Sequence, residues 1–576
     1  MNLLPVPRSM ELTGTTVPAR PARTSLDRAL PPQGYRLRID EDLVDLAGAD
    51  PAGIFYGEAT LAQLATIHDG RLPAGVVLDH PDFPVRGVML DVSRDKVPTM
   101  DTLRALIDRL ASMKVNQVQL YFEHTFAYRN HPDVHAEASP ITADEVVALD
   151  AFCRARHVEL VPNQNCLGHM NRWLAHERYR PLAIAPDGFV DPYGMSRPPM
   201  TIEPGNPGSL ALIRELLGEL LPPFTSRRVH VGLDEAWELP PDRLADYLEW
   251  VCTLRSLPEL EGREMLVWGD MVAGRHDALA ALPSGVTVCE WGYDDWHPFD
   301  ERCAALSEAD VPFWVAPGTS SWSSILGRLT NARNTCRLAA AAALEHGAAG
   351  YLNTDWGDQG HLQQSVISEP ALAYGAAVSW CLEANSGLDL GAALSTHGFA
   401  DPTGGLAEAL LAIGDAHLLA TPQFPNMSAI VANLYYPQLP VGRGLTAGLT
   451  AAELDAVGRL LDDARRSAVR SHSRRDDATA LVDETVFSID LVALLVGDAQ
   501  ARLEVDGTIG AVPGSVREHL AGDLSGLIER YRSLWLARNR PGGLDDSLSW
   551  LENLRAAYVT GRPDPSWGGL QVPTKR

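Results

Sequence analysis

The chain has 576 residues, enough for about three or four ordinary domains, and its 45% hydrophobic and 21% charged residues are those of a soluble globular protein with a large core. No apolar run is long enough to cross a bilayer, and a formal net charge of −26 repels phosphate backbones, so neither a membrane nor nucleic acid is expected as a partner; a neutral or cationic substrate fits better. Seven cysteines, odd in number and without a CxxC pair, argue against a disulfide framework and a thiolate zinc site and read as reduced, small apolar residues.

The amino terminus, "MNLLPVPRSMELTGTTV", has Pro5 and Pro7 where a secretory signal would need its apolar core, which reads as mature, cytoplasmic protein. Strand-like "GYRLRID" and helix-like "FYGEATLAQLATI" follow, and the Pro-rich "DHPDFPVRG" reads as a boundary, giving a small α/β domain over residues 1–83. From Arg86 to about Gly357 one pattern recurs: a β-rich run, a polar or Gly/Pro break, then an Ala/Leu-rich helical stretch. The eight runs are "RGVMLDVS", "NQVQLYFEH", "VELVPNQN", "RVHVGLDE", "MLVWGDM", "VTVCEWGY", "PFWVAPGTS" and "AAGYLNTDWG", as a (β/α)8 TIM barrel over residues 84–400 requires. Helices are expected over 99–113, 142–156, 206–221 and 328–346, with Thr99 and Thr142 as caps. In the second run Val118, Leu120 and Phe122 face the helices, while Gln119, Tyr121 and Glu123 face inward and need hydrogen bonds. Residues 401–576 read as a helical region; its stretch "LWLARNRPGGLDDSLSWLENL" either packs back on the barrel or is a plain interhelical turn.

The fourth run carries the chemistry. In "RRVHVGLDEAWEL", strand alternation sends Val229, Val231 and Leu233 one way and His230, Gly232 and Asp234 the other. Asp234 and the adjacent Glu235 reach one pocket only if the strand ends there, which places both at a strand's carboxyl end, where barrel enzymes keep their active sites.

"HVGLDE" resembles the His-x-Gly-x-Asp-Glu signature of family 20 glycoside hydrolases, the β-N-acetylhexosaminidases. "GIFYGEATLAQL", "RGVMLDVSRD", "LGHM" and "VWGDM" resemble, in order, the family's preceding small domain and its first, third and fifth strands, while "YFEHTFAY" with "GHM" is closer to the hexosaminidase D branch. The resemblance spans roughly residues 1–400 and implies an exo-acting, retaining mechanism in which the substrate's own 2-acetamido group is the nucleophile. Glu235 is then the general acid and base, and Asp234 the carboxylate that orients the acetamide. Adjacent carboxylates repel each other's ionisation, which favours a protonated Glu235.

By the same resemblance Trp268, Trp322 and Trp356 wall the sugar, with ordinary core packing as the alternative at each. Asp358 and Arg86 match groups that bind sugar hydroxyls, although Arg86 stands at the start of its strand, away from the active face. Tyr293, with Asp295 two residues on, is the candidate for binding the acetamide carbonyl. Glu123 and His169 complete the substrate-binding set. Two departures alter the polar support: Asn165 replaces an Asp four residues before His169, and Glu123 with His124, either a relay to Glu235 or a structural pair, replaces an acidic pair.

The expected partner is a carbohydrate ending in N-acetylhexosamine, with no cofactor and no metal; subunit number is open, a homodimer included. The rival readings are a barrel acting on a modified or larger glycan, a silent sugar-binding barrel, and a metal hydrolase using His169, His230, Asp234 and Glu235.

Overall fold

All eight β-rich runs become strands, and in the computed structural model, which describes residues 2–567, they close into one parallel barrel. The strands are β1 (Val85–Asp91), β2 (Gln117–Phe122), β3 (Glu159–Gln164), β4 (Arg228–His230), β5 (Glu264–Trp268), β6 (Val286–Trp291), β7 (Phe313–Ala316) and β8 (Gly350–Asp355). Closure is by β8 against β1, in register from Gly350 opposite Val85 to Asp355 opposite Leu90. The helices between them start where the caps predict. Thr99 accepts the Thr102 N–H ahead of Met100–Ser112, and Thr142 with Glu145 forms a full capping box ahead of Ala143–Arg154.

The inward polar residues of β2 and β3 bond one another. Gln119 donates to Gln117 (3.0 Å) and accepts from Asn163 (3.0 Å), while the Tyr121 hydroxyl donates to Glu123 (3.0 Å). This column connects the floor of the barrel to its mouth.

The first 79 residues build a five-stranded sheet in the order Ser9–Pro18, Arg71–Asp79, Tyr35–Ile39, Val44–Gly48, Arg23–Leu26, covered by the helix Pro51–Ile67. That helix starts at Asp50, whose carboxylate accepts the Gly53 N–H, with Pro51 in the first turn. It lies close on the sheet because position 57 is glycine: a Cβ there would stand 2.3 Å from a Leu46 methyl.

Where this sheet meets the barrel floor, charge is buried and paired. Lys114 Nζ lies 2.8 Å from Asp79 and 3.0 Å from the Tyr35 hydroxyl, fully buried, and Trp380 Nε1 donates to the same carboxylate at 2.9 Å. Arg86 is part of this seam. Its guanidinium donates to the carbonyls of Lys114 (2.8 Å) and Phe83 (2.7 Å) and to Gln33 (3.0 Å), and it stacks on Tyr56 and Trp380. The sugar-binding role expected for Arg86 is therefore corrected: as second residue of β1 it points into the floor, a strand's length from the mouth.

Beyond the barrel, the helices Ala451–Val469, Ala478–Leu503, Gly514–Arg538 and Leu544–Thr560 pack side by side. Of the two readings of "LWLARNRPGGLDDSLSWLENL", the structure shows the fold-back. Arg540 donates its N–H to Val97 O and its side chain to Pro140 O and Glu145, and the Gly543 N–H reaches Glu137 O. No helix among the described residues is long and apolar enough to cross a membrane.

Candidate active site

The segment after β4 departs from strand geometry earlier than alternation implies. Gly232 (φ 71°), Leu233 (φ 76°) and Glu235 (φ 48°) all lie in the left-handed region, although Trp268 N–H still bonds Gly232 O at 3.0 Å and keeps the segment in the wall. A Cβ at Gly232 would stand 2.6 Å from the Asn165 side chain, so the tight turn and its neighbour both require glycine. The turn brings the two adjacent carboxylates to the same histidine: His169 Nε2 lies 3.2 Å from Asp234 Oδ2 and 3.4 Å from Glu235 Oε2.

Asp234 is buried, and Asn165 donates to its Oδ1 at 2.7 Å. An amide at 165 thus supports a carboxylate that an aspartate there would repel. Burial alone would raise the Asp234 pKa, but His169 and Arg94 outweigh it and hold the group below the usual carboxylate value, ionised. At His169, burial disfavours a charge, the Asp234 and Glu235 carboxylates favour one more strongly and lift its pKa, and the Arg94 guanidinium opposes them.

Arg94 is the cation of the mouth. It follows β1, where Asp91 accepts its backbone N–H (3.0 Å), and its guanidinium lies 4.9 Å from the ring centres of both Tyr121 and Trp356. Its nitrogens stand 3.3 Å from Asp91, from Glu123 and from His169 Nδ1. "RGVMLDVSRD" holds both arginines, and only the one after the strand's carboxyl end reaches the site.

Glu123 and His124 part company. Glu123 faces inward to Arg94 and Tyr121, whereas His124 is buried, its pKa pushed down to about 3 by burial, and among the described residues neither is joined to Glu235, whose side chain meets His169. Instead, the acid that meets Glu235 is Asp270, which the sequence reading passed over in "VWGDM". Its Oδ2 accepts the Glu235 N–H (2.9 Å) and its Oδ1 the Trp291 indole N–H (3.2 Å). Burial, then the charges of Asp234 and Glu235, push Asp270 up to about 7.

Aromatic rings wall the space above. Trp268 packs on His230 (4.2 Å between ring centres) and on Trp356 (5.8 Å), and Trp356 Nε1 donates to the Tyr293 hydroxyl at 2.7 Å. Tyr293 meets Trp322 edge-on at 5.0 Å and stacks on Trp291 at 5.0 Å. Asp358 completes the rim beside Arg94; burial and the Asp91 and Glu235 charges lift it to about 6. Asp234, Glu235, Glu123, His169, Trp268, Tyr293, Trp322, Trp356 and Asp358 are thus brought together. Asp295 is not: it is exposed on the outside, accepting from Asn334 at 3.0 Å, because Asp294 turns inward to pair with Arg328 and carries Asp295 the other way.

The four candidate metal ligands do not close on a point. His230 Nδ1 accepts the Gly232 N–H (3.0 Å) beneath Trp268, and among the described residues the His and acid side chains that converge at ligand spacing are Asp300, Glu345 and His346, on the outer helices.

A closed (β/α)8 barrel with an acid cluster under an aromatic wall at the strands' carboxyl ends has the architecture of a barrel enzyme. Two models of one family match in tandem: glycosyl hydrolase family 20, domain 2 over residues 3–80, and glycosyl hydrolase family 20, catalytic domain over residues 83–318. The chain belongs to glycosyl hydrolase family 20.

It is similar to a beta-hexosaminidase of Akkermansia muciniphila (28% identical over 279 residues, 42% of this chain and 54% of that one). It is similar also to a beta-N-acetylhexosaminidase of Cellulomonas fimi (26% over 327 residues, 52% and 61%). It therefore spans a little over half the length of these relatives. Among solved structures, a β-N-acetylhexosaminidase of Bacteroides fragilis superposes with a TM-score of 0.54 at 17% identity, over 66% of this chain and 90% of that one. A mutant Streptomyces plicatus beta-hexosaminidase in complex with GlcNAc product gives 0.53 at 18%, over 69% and 95%.

Proposed function

We propose that the chain is an exo-acting β-N-acetylhexosaminidase that releases terminal β-linked GlcNAc or GalNAc with retention, the substrate's acetamide acting as nucleophile. The observation that carries this reading is the placement of Asp234 and Glu235 on one histidine beneath the aromatic wall, one held ionised and the other on the solvent side.

Glu235 gives its proton to the glycosidic oxygen as the C1–O bond breaks, and the acetamide carbonyl oxygen bonds to C1. Asp234 accepts the acetamide N–H and stabilises the oxazolinium charge that develops. Water then attacks C1 from the face the leaving group vacated, the bond from C1 to the acetamide oxygen breaks and restores the acetamide, and the Glu235 carboxylate takes the water's proton. The Tyr293 hydroxyl, already accepting from Trp356, has its own hydrogen to donate to the acetamide oxygen. Arg94 and Asp358 are placed to bind ring hydroxyls, and the names of the relatives point to the same sugars.

Glu235→Gln tests the assignment. Turnover of substrates with poor leaving groups should fall on the order of 10²–10⁴-fold, while aryl glycosides with acidic leaving groups, which need no proton, lose far less. Equal losses on both would contradict it.

A further inference from the structure

The loop that follows β8, residues 356–364, carries Asp358 to the rim in an uncommon backbone conformation. Asp358 (φ 46°), Gly360 (φ 76°) and His361 (φ 47°) all lie in the left-handed region, two of them with side chains. Such a conformation persists only where the surroundings over-determine it. The barrel supplies part of the hold: Asp91 accepts the Gly357 N–H (2.9 Å), and the buried Lys96 ammonium donates to Gln363 O (2.7 Å).

The other part comes from the chain after residue 430. Ser547 Oγ donates to Gly360 O, the Tyr531 hydroxyl donates to His361 O (3.3 Å), and Gln359 Nε2 donates to the Tyr436 hydroxyl (3.1 Å). The Tyr531 and Ser547 oxygens stand 2.8 Å apart, so the single Tyr531 hydrogen is shared between Ser547 Oγ and His361 O. The Trp550 indole covers Gly360 so closely that a Cβ there would stand 2.3 Å from its Cδ1, and Trp550 is gripped edge-on by Tyr435 (5.6 Å) and Trp567 (5.3 Å). The same helices hold the loop after β1, since Arg172 bridges Asp95 and Asp546 (2.6 Å each) and a Cβ at Gly543 would stand 1.9 Å from Asp95 O.

We propose that the carboxyl-terminal helices are a working part of the sugar site: Trp550, Ser547 and Tyr531 are positioning residues that hold the 356–364 loop so that Asp358 stands beside Arg94 and binds the ring hydroxyls of the terminal sugar. This rests on the hexosaminidase reading for the identity of the ligand; the clamp itself rests on the contacts above. Trp550 acts through the backbone of Gly360 and touches no substrate. Its loss therefore weakens ground-state and transition-state binding alike, which raises KM and leaves kcat nearly alone.

The test uses the full chain and the aryl β-N-acetylhexosaminide it cleaves best, with Trp550→Ala, Trp550→Phe, Ser547→Ala, Asp358→Ala and the Trp550→Ala/Asp358→Ala double variant. Trp550→Ala should raise KM about tenfold with kcat changed less than about threefold, Trp550→Phe should recover most of the loss, and Ser547→Ala should fall between. In the Asp358→Ala background Trp550→Ala should add less than about twofold, because both act on one group. A fall in kcat at constant KM, or losses that multiply in the double variant, would overturn the proposal by reducing Trp550 to general support. Hydrogen exchange needs no substrate: amides 357–363 should exchange faster in Trp550→Ala while the barrel strands keep their protection. Unchanged protection of that loop would refute the clamp, and faster exchange in a chain inactive on every acetamido sugar would uphold it while removing the hexosaminidase reading.

Discussion

The two ends of the barrel use the same kinds of residue to opposite ends. At the floor the cations are matched: Lys114 meets Asp79, the half-buried Arg228 lies between Glu159 and Glu264 at 2.7 and 2.9 Å, and Arg86 donates to two carbonyls and Gln33 between two aromatic rings. At the mouth six acids, Asp91, Glu123, Asp234, Glu235, Asp270 and Asp358, crowd around Arg94 and His169. Their pKa values are driven apart, Asp234 down and Asp270 and Asp358 up, on a backbone with left-handed residues at 233, 235 and 358. Paired charge at one end serves stability, and mismatched charge at the other leaves groups able to exchange protons with a ligand.

The largest effect that would sharpen this contrast is expected at the floor. Lys114→Met leaves Asp79 buried without its cation and should cost about 3–5 kcal/mol in chemical denaturation, with kcat/KM of the folded fraction unchanged. A cost under about 1 kcal/mol, or a loss of activity with stability intact, would break the division between the ends.

A smaller effect at the mouth has a sign fixed by pH. The Asp270 carboxyl is raised to about 7 in the folded chain, so its contribution favours folding below about pH 4 and is lost as pH rises through about 7. Asp270→Asn removes that loss. The melting temperature of the variant minus that of the wild type should climb by about 2–4 °C between those pH values, and a flat difference would contradict the raised pKa.

Most of the barrel is legible in the sequence because parallel strands buried on both faces leave short β-rich runs between helices with clear caps, and eight of them in order admit few topologies. Asp234, Glu235, His169 and the tryptophans are legible because they sit at strand ends within recognisable motifs. The misreadings share a cause, which is direction. Arg86 and Arg94 stand eight residues apart in one motif, and choosing between them requires knowing which end of the strand opens on the site. Asp294 and Asp295 differ only in which way the chain turns after Tyr293. Asp270 was missed because its role runs through a backbone N–H rather than a motif position, and the fold-back of residues 538–547 depends on contacts across about 400 residues of chain.

The central claim is that this mouth cleaves an acetamido sugar with help from the acetamide itself. Hydrolysis of aryl β-GlcNAc and aryl β-GalNAc, with the aryl β-glucoside that lacks the acetamide as control, tests it most directly. The account predicts cleavage of at least one acetamido sugar and none of the glucoside, with the faster epimer reporting how Arg94 and Asp358 read the C4 hydroxyl. Comparable cleavage of the glucoside would contradict it.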